Sequence, residues 1–282
     1  MSVGASVTPD AAPAPSPRLR VVYCTRGGLF GALVLRRLQA CEHLEICGIV
    51  RSSRNFQPHL GFLRGALAYV RRSGVGYSLY LLCATTLADV LCRFSTIGCV
   101  PTRTRSGHAP VHTTRDVNDP KGLSFLRDCA PDLLVSAFFD QRLQEAALVI
   151  PSRGCVNIHP SPLPEFKGVD PVLQARIHQG ELGVTVHYMT PVLDAGEILV
   201  QRSPAIRAGA SIFEATAALY DAGAQLLVAQ IQRIALRERG VAQDGIGSYQ
   251  SWPDRKEIRA LHALGGVLIR WADFNRMLRG CP

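Results

Sequence analysis

The fold of this chain is decided by the segments N-I-H-P-S-P-L-P-E-F-K-G at residues 157–168 and G-V-T-V-H-Y-M-T-P-V-L-D-A-G at residues 183–196. Asn157 and His159 are two residues apart, so on an extended strand their side chains share one face. Three prolines follow at once in P-S-P-L-P, and proline cannot continue a helix or a central strand. The Asn–His pair therefore ends a strand, which is where an α/β sheet binds its ligands.

The second segment adds polar groups to the same place. A strand over 183–189 contributes His187, and the loop after it contributes Asp194, with a nearby glycine that permits a tight turn. The Asn157 amide, the His159 imidazole and the Asp194 carboxylate can thus converge on one pocket. They would supply an oxyanion donor, a proton shuttle and an acid that tunes the shuttle, which suits acyl chemistry without a covalent intermediate. Each residue alone is more often structural, but polar groups that end two consecutive strands favour the catalytic interpretation.

The first 50 residues predict the opening of a doubly wound fold. A buried strand over 19–25 is followed by the Gly27–Gly28 turn, a helix over 29–38 and a second strand over 44–50. An anion site at the start of this helix is only weakly indicated, because a lone Gly-Gly lacks the full dinucleotide fingerprint.

The rest of the chain continues the α/β pattern. Further strands are predicted at 132–137, 154–159, 183–189 and 197–206, and helices at 123–129, 171–179 and 211–238. Asp170 before Pro171 is typical of a helix N-cap, and Ser211 with Glu214 is typical of a capping box. Residues 52–125 are interpreted as an insertion with helices at 59–72 and 78–94.

The elements together predict an α/β fold with a Rossmann-like mixed sheet and helices on both faces. This catalytic domain spans residues 19–240. An Ala-, Pro- and Ser-rich tail over 1–18 is expected to be disordered. Residues 241–282 are expected to form a small C-terminal appendage with apolar periodicity over 258–271.

Composition narrows the class of protein. A hydrophobic content of 47% and a charged content of 19% allow a sizeable core. A net charge of +9 fits an anionic partner, such as a nucleic acid, a nucleotide, or a phosphorylated or polyglutamylated small molecule. No run of five basic residues appears, which argues against nucleic acid and favours solvated helix faces.

Cysteine usage and hydropathy bear on the compartment. The nine cysteines are scattered without a C-x-x-C pair, and no histidine pair has zinc-finger spacing. We therefore expect a cytoplasmic protein with no disulfides and no metal. The apolar segment 74–92 is interrupted by polar residues, so it predicts a buried helix and no contact with a membrane.

Three motifs, N-I-H-P-S-P-L-P-E-F-K-G, G-V-T-V-H-Y-M and L-D-A-G-E-I-L, together resemble the folate-dependent formyltransferases. That family includes glycinamide ribonucleotide, methionyl-tRNA and several sugar and hydroxyamino-acid formyltransferases. The similarity is strong over 131–206, fair over 20–50, and weak or absent in 52–125 and in the tail. The motifs are specific for the family and leave the acceptor open.

The resemblance implies a formyltransferase-type fold and 10-formyltetrahydrofolate as the formyl donor. By motif position it implies Asn157, His159 and Asp194 as the catalytic triad, with Asp194 favouring a charged His159. The donor would bind between the loop after strand 132–137 and the Asp194 loop. The donor-binding residues that it implies are Phe139, Gln141, Arg142, Leu143, His187, Val192 and Leu193.

Departures from the family pattern bear on the acceptor. Asp140–Arg142 stands where the purine enzyme has a more apolar stretch, and Arg26–Leu29 lacks the Ser/Asn-rich loop that holds a ribose phosphate there. The tail after Gly240 is too short for the tRNA-binding barrel of the methionyl-tRNA enzyme. We therefore expect a small-molecule amine as the acceptor.

Several alternatives stay open at this point. The chain could be a methionyl-tRNA-type enzyme that lacks the barrel. It could equally be a 10-formyltetrahydrofolate hydrolase, in which water replaces the amine. A non-catalytic folate- or nucleotide-binding protein could also retain this fold. The oligomeric state is open.

Overall fold

The computed structural model describes residues 18–54, 62–87, 103–104 and 107–278. The predicted tail over 1–17, and the parts of the two insertion helices at 59–61 and 88–94, lie outside these residues.

A mixed sheet of seven strands organises the described chain. Its strands are β1 (Leu19–Thr25), β2 (Leu44–Ser52), β5 (Val111–Thr114), β6 (Leu133–Ala137), β7 (Cys155–His159), β9 (Val184–Tyr188) and β10 (Ile198–Arg202). Two short pairs complete the strands, β3 (Arg103–Thr104) with β4 (Gly107–His108), and β8 (Lys167–Gly168) with β11 (Tyr249–Gln250). The sheet order is β10-β9-β7-β6-β1-β2-β5, in which β9 runs antiparallel to its neighbours β7 and β10 and all other neighbouring strands are parallel.

Helices cover both faces of this sheet. They are α1 (Gly28–Ala40), α2 (Phe62–Leu82), α3 (Pro120–Cys129), α4 (Glu145–Leu148), α5 (Pro171–Ile177), α6 (Ile212–Ala229), α7 (Ile231–Ala235), α8 (Arg255–Ala263) and α9 (Trp271–Leu278). Alternate residues of β1 belong to different apolar clusters, with Tyr23 packed on the side of α1 and α6 and Cys24 on the side of α3 and α4. The predicted α/β class, with helices on both faces, is confirmed.

Local signals placed most elements, and three of them end earlier than predicted. Strand β10 stops at Arg202, two residues before Pro204, which has no N–H for a ladder. Helix α6 starts as expected, with the Ser211 hydroxyl accepting from the Glu214 amide, but it ends at Ala229 and α7 follows after Gln230. Helix α5 ends at Ile177 rather than at 179.

The insertion contains the two predicted helices, end to end. They meet within α2 at Gly74, whose φ of 87° and ψ of 167° are not helical, and a π-helical turn over Cys83–Leu87 follows. The apolar periodicity over 258–271 begins in one helix and reaches the start of the next. Helix α8 begins at a capping box of Asp254 and Glu257 and ends before Gly265, whose φ of 74° is left-handed and interrupts the helix.

The C-terminal segment packs on the insertion. The rings of Trp252 and Tyr69 meet edge to face at 5.2 Å, and the Ser73 hydroxyl donates to the Pro253 carbonyl at 2.6 Å. Strand β11 pairs with β8, directly after the N-I-H-P-S loop. Residues from both ends of the chain therefore close over the carboxyl ends of β6 and β7. Among the residues described, no helix is long and apolar enough to span a membrane.

Candidate active site

One cavity of about 410 Å³ lies at the carboxyl ends of β6 and β7. Its volume falls in the range of small-molecule sites. All ten residues singled out from the sequence line it: Asn157, His159, Asp194, Phe139, Gln141, Arg142, Leu143, His187, Val192 and Leu193. The structure thus brings them together, and their individual roles remain predictions.

The antiparallel pairing of β7 and β9 sets Asn157 directly opposite His187. His187 lies 2.8 Å from the Tyr188 carbonyl through Nδ1, so Nδ1 carries a proton and Nε2 accepts from the Asn157 amide at 3.2 Å. Burial lowers the pKa of His187 to about 4, opposed by the charge of Asp194. His187 is therefore neutral near pH 7, and the second N–H of the Asn157 amide is left for a ligand.

Asp194 is held in place by the backbone and faces both histidines. Its Oδ2 accepts from the Gly168 amide at 2.9 Å, and its Oδ1 lies 3.7 Å from His159 Nδ1 and 3.8 Å from His187 Nε2. Because Nε2 of His187 acts as an acceptor, Nδ1 of His159 is the ring nitrogen that can interact favourably with this carboxylate.

His159 makes a hydrogen bond through its other ring nitrogen. Its Nε2 lies 3.1 Å from the Phe166 carbonyl, which can only accept, so Nε2 carries a proton in this contact. Nearly all of the ring is buried, which leaves the cavity as the place where its proton can be used.

The predicted donor-binding residues fall into two groups. Val192 and Leu193 on the Asp194 loop are 64% and 39% exposed, so they present apolar surface to the cavity. Phe139 and Leu143 follow β6, and the Leu143 side chain is almost wholly buried within the core cluster below. These apolar surfaces suit the flat ring system of a folate.

Gln141 lines the cavity, but its side chain has a structural task. Its Oε1 accepts from the Val117 amide at 2.7 Å, and its Nε2 donates to the Ser52 hydroxyl at 2.8 Å and to the Thr114 carbonyl at 3.0 Å. These hydrogen bonds engage both ends of the Gln141 amide and hold the loop after β6. A ligand contact from Gln141 would therefore come from its backbone. Motif matching alone cannot tell a backbone contact from a side-chain contact.

The other side of the cavity is lined by aromatic residues that the family motifs do not include. Its aromatic wall consists of Phe30, Tyr77, Tyr80, Tyr220, Tyr249 and Trp252. These residues come from α1, α2, α6 and the C-terminal segment, so they share no sequence motif. Arg26 also lines the cavity and forms an ion pair with Asp140.

Asp170 stands among these aromatic residues and corrects one sequence-based expectation. It occupies the N-cap position of α5, but its φ of 48° and ψ of 54° are left-handed, and its side chain makes no capping hydrogen bond. The Tyr77 hydroxyl instead donates to Asp170 Oδ2 at 2.8 Å. Burial raises the pKa of Asp170 to about 6, and the bond from Tyr77 partly opposes this.

The weak anion site predicted at the start of α1 is filled by protein. A Cβ added to Gly28 would lie 2.6 Å from the Ala84 carbonyl oxygen, so the π-helical turn covers this helix end. Within the described residues no group of three or more His, Cys, Asp and Glu side chains is placed to hold a metal ion. The expectation of a metal-free site remains a prediction.

Comparisons with known proteins agree with the motifs. Residues 100–231 match the family model described as formyl transferase. The methionyl-tRNA formyltransferase of Syntrophus aciditrophicus is 32% identical over 167 residues, which cover 58% of this chain and 51% of that protein. The chain thus spans about half the length of such relatives.

Solved structures of low identity share the fold. A sugar N-formyltransferase from Shewanella sp. superposes with a TM-score of 0.53 at 16% identity, over 92% of this chain and 86% of that chain. Glycinamide ribonucleotide transformylase 1 from Symbiobacterium toebii gives 0.53 at 14% identity, over 84% and 100%. The resemblance to the folate-dependent formyltransferases and the Rossmann-like fold are confirmed.

Proposed function

We propose, from the premise that residues 100–231 form a formyl transferase domain of the folate-dependent family, that this chain is an N-formyltransferase. It would move a formyl group from 10-formyltetrahydrofolate to the amine of a small-molecule acceptor. The observation that carries the proposal is the convergence of Asn157, a His159 paired with Asp194, and a neutral His187 in one cavity.

The donor would lie along the loop after β6 and the Asp194 loop. Phe139, Val192 and Leu193 offer apolar contact there, and their surface is available in the cavity. When bound, the donor supplies an activated formyl group. The protein residues orient this group and exclude water from it.

Asn157 and His159 then act on the formyl oxygen. The free N–H of Asn157 stabilises the negative charge that develops on this oxygen as the amine attacks, and His159 would donate to the same oxygen from Nε2 in place of its contact with the Phe166 carbonyl. Asp194, fixed by the Gly168 amide, faces Nδ1 of His159 and orients its ring. His159 can afterwards give its proton to the leaving nitrogen.

The acceptor that we propose is a small molecule. The covered helix start at Gly28 disfavours a phosphate held there. The matched relatives are methionyl-tRNA formyltransferases, of whose length this chain matches about half. We place the protein in the cytoplasm, supported by cysteines that are scattered along the sequence and free wherever the structure describes them.

The direct test incubates the protein with 10-formyltetrahydrofolate and a panel that includes amino sugars, hydroxyornithine and initiator methionyl-tRNA. We expect a formylated small amine by mass spectrometry. Asp194→Ala should lose roughly 100-fold or more in rate, comparable to the loss of one oxyanion donor, because His159 loses the carboxylate that orients its ring. Asp128→Ala, which removes an exposed carboxylate from α3, is the matched control.

The outcomes separate the alternatives. Rapid formate release without any amine would identify a hydrolase, and formylation of the tRNA alone would identify the methionyl-tRNA-type activity. Donor binding without turnover would indicate a non-catalytic protein. Unchanged transfer by Asp194→Ala would refute the assignment of the triad.

A further inference from the structure

Asp170 is a carboxylate that lines the cavity and has no role in the proposed formyl transfer, which uses Asn157, His159 and Asp194. It has a left-handed backbone, which is unfavourable for a residue other than glycine. Its carboxylate accepts the hydroxyl of Tyr77 from the insertion, and the Leu173 amide of the following helix also stabilises its charged form. A carboxylate on such a backbone that lines a cavity is a candidate for a functional role.

The charge of Asp170 lacks a counter-ion within the described chain, where it forms no ion pair with Lys, Arg or His. The titratable side chains that face it are Tyr69, Tyr77, Tyr80 and Tyr220. Burial raises the pKa of each of these tyrosines, so they remain neutral and cannot compensate a carboxylate. Arg26, beyond Tyr69, is already paired with Asp140. A cationic ligand would therefore complement a charge that the protein leaves unmatched.

Asp170 also lies close to the reacting groups. The Gly168 amide holds Asp194, and Asp170 is two residues further along, so its Cα is at most about 7.6 Å from that of Gly168. Tyr220 feels the charges of both carboxylates. A group bound to Asp170 would thus sit on the side of the cavity opposite the donor, next to the triad.

The surrounding wall limits what such a ligand can be. The aromatic rings of Tyr77, Tyr80, Tyr220 and Trp252 attract cations and apolar bodies, and the Tyr77 hydroxyl is already engaged by Asp170. A negative group on the acceptor would meet the charge of Asp170. The wall therefore favours an ammonium carried by an uncharged body.

We propose that Asp170 binds the ammonium group of the acceptor and takes its proton, and that the acceptor is a primary amine free of phosphate and carboxylate groups. This inference rests on the proposed function. One proton leaves the ammonium for Asp170 and then passes to solvent. The free amine forms the new N–C bond with the formyl carbon, and the bond from that carbon to the folate nitrogen breaks. The second amine proton reaches this nitrogen by way of His159, so atoms and charges balance.

The role as a base also agrees with the titration of Asp170. Its pKa of about 6 lies near neutral pH, where a general base is most effective. An ordinary aspartate would hold a proton too weakly.

The test compares tyramine with tyrosine, a pair of amines that differ by one carboxylate. Their dissociation constants are measured by calorimetry with the full chain saturated with 5-formyltetrahydrofolate, a donor analogue, and kcat/KM for formylation is measured with 10-formyltetrahydrofolate. For the wild type we expect preference for tyramine by tenfold or more, the size of a charge-assisted contact. Asp170→Asn, which can still accept from Tyr77, should weaken tyramine binding about tenfold and remove the preference.

Two further variants separate recognition from folding. Asp128→Asn removes an exposed charge from α3 and should retain the preference. Tyr77→Phe frees Asp170 from its hydroxyl partner and should weaken tyramine binding by a few-fold without abolishing the preference.

Each outcome decides the matter. Equal discrimination by Asp170→Asn and wild type, or no tyramine binding to the wild type, would overturn the inference. Weakened binding of 5-formyltetrahydrofolate in Asp170→Asn to the same degree as tyramine would indicate a structural role and overturn it as well. Formate release with no transfer to any amine would instead refute the proposed function, which is a distinguishable result.

Discussion

Asp170→Asn is expected to make the folded protein more stable at neutral pH, although it removes a side chain from the candidate site. The folded state raises the pKa of Asp170 from its ordinary 3.8 to about 6, chiefly through burial. Between these two values the folded protein binds more protons than the unfolded chain, so stability falls as pH rises. Below pH 3.8 Asp170 is protonated in both states and its ionisation costs no stability, and above about pH 6 the full cost of burying the ionised carboxylate is present.

The magnitude follows from the size of the shift. At about 1.4 kcal/mol per pH unit, burying the ionised carboxylate costs up to about 3 kcal/mol above pH 7. Asparagine avoids that cost and can still accept the Tyr77 hydroxyl. Because Asp170 is partly open to the cavity, we expect a gain of roughly 1–3 kcal/mol.

Urea unfolding at about pH 4, 6 and 7.5 measures this gain as a difference in the free energy of unfolding. The advantage of Asp170→Asn should be present at the two higher pH values and shrink toward zero at the lowest. The tyrosines that face Asp170 stay neutral over this range and do not contribute. Asp128→Asn controls for net charge. A variant less stable than the wild type at pH 7.5, or a gain independent of pH, would refute the reasoning.

Three further predictions concern the triad, its neighbour and the packing beneath it. Asn157→Ala and His159→Ala should each lower kcat by about 100-fold or more with donor binding retained, because each removes one oxyanion donor; equal losses in kcat and in donor affinity would contradict this. The His187 ring should show no titration by NMR between about pH 5.5 and 8, since its pKa is about 4, and a midpoint in that range would contradict the neutral assignment. Gly223→Ala should destabilise the fold by roughly 1–3 kcal/mol, because the new Cβ would lie 2.4 Å from Ile158 Cγ2. Gly209→Ala is the control for backbone strain, since Gly209 has a φ of 69° but open space around it. Equal losses of stability in the two variants would contradict crowding as the cause.

Local sequence signals predicted the triad side of the cavity well. The period of two along a strand placed Asn157 and His159 on one face, and the prolines after them ended β7. The neighbouring strand β9 is only 24 residues away and pairs in the register that sets Asn157 opposite His187. Both facts depend on nearby residues, so the pattern carried them.

The same reasoning failed where distant segments decide the geometry. Asp170 before Pro171 has the pattern of a capping residue, and only the approach of Tyr77 from α2 gives its carboxylate another partner. Gln141 matched a ligand position by motif, yet Ser52 and Thr114 engage its amide from β2 and β5. Non-local contacts redirected both side chains, and no local propensity reports them.

The two sides of the cavity therefore differ in how they are encoded. The side with Asn157, His159 and Asp194 comes from one short stretch of chain, which is why its motif identifies a family and a donor. The aromatic wall is assembled from α1, α2, α6 and the C-terminal segment, so its chemistry can change without altering that motif. Asp170 lies in the connection between the two, two residues from the amide that fixes Asp194. A carboxylate that lowers stability at this position is best explained by a cation that it binds. The unfolding measurements test the cost of the buried charge, and the tyramine measurements test the binding of the cation.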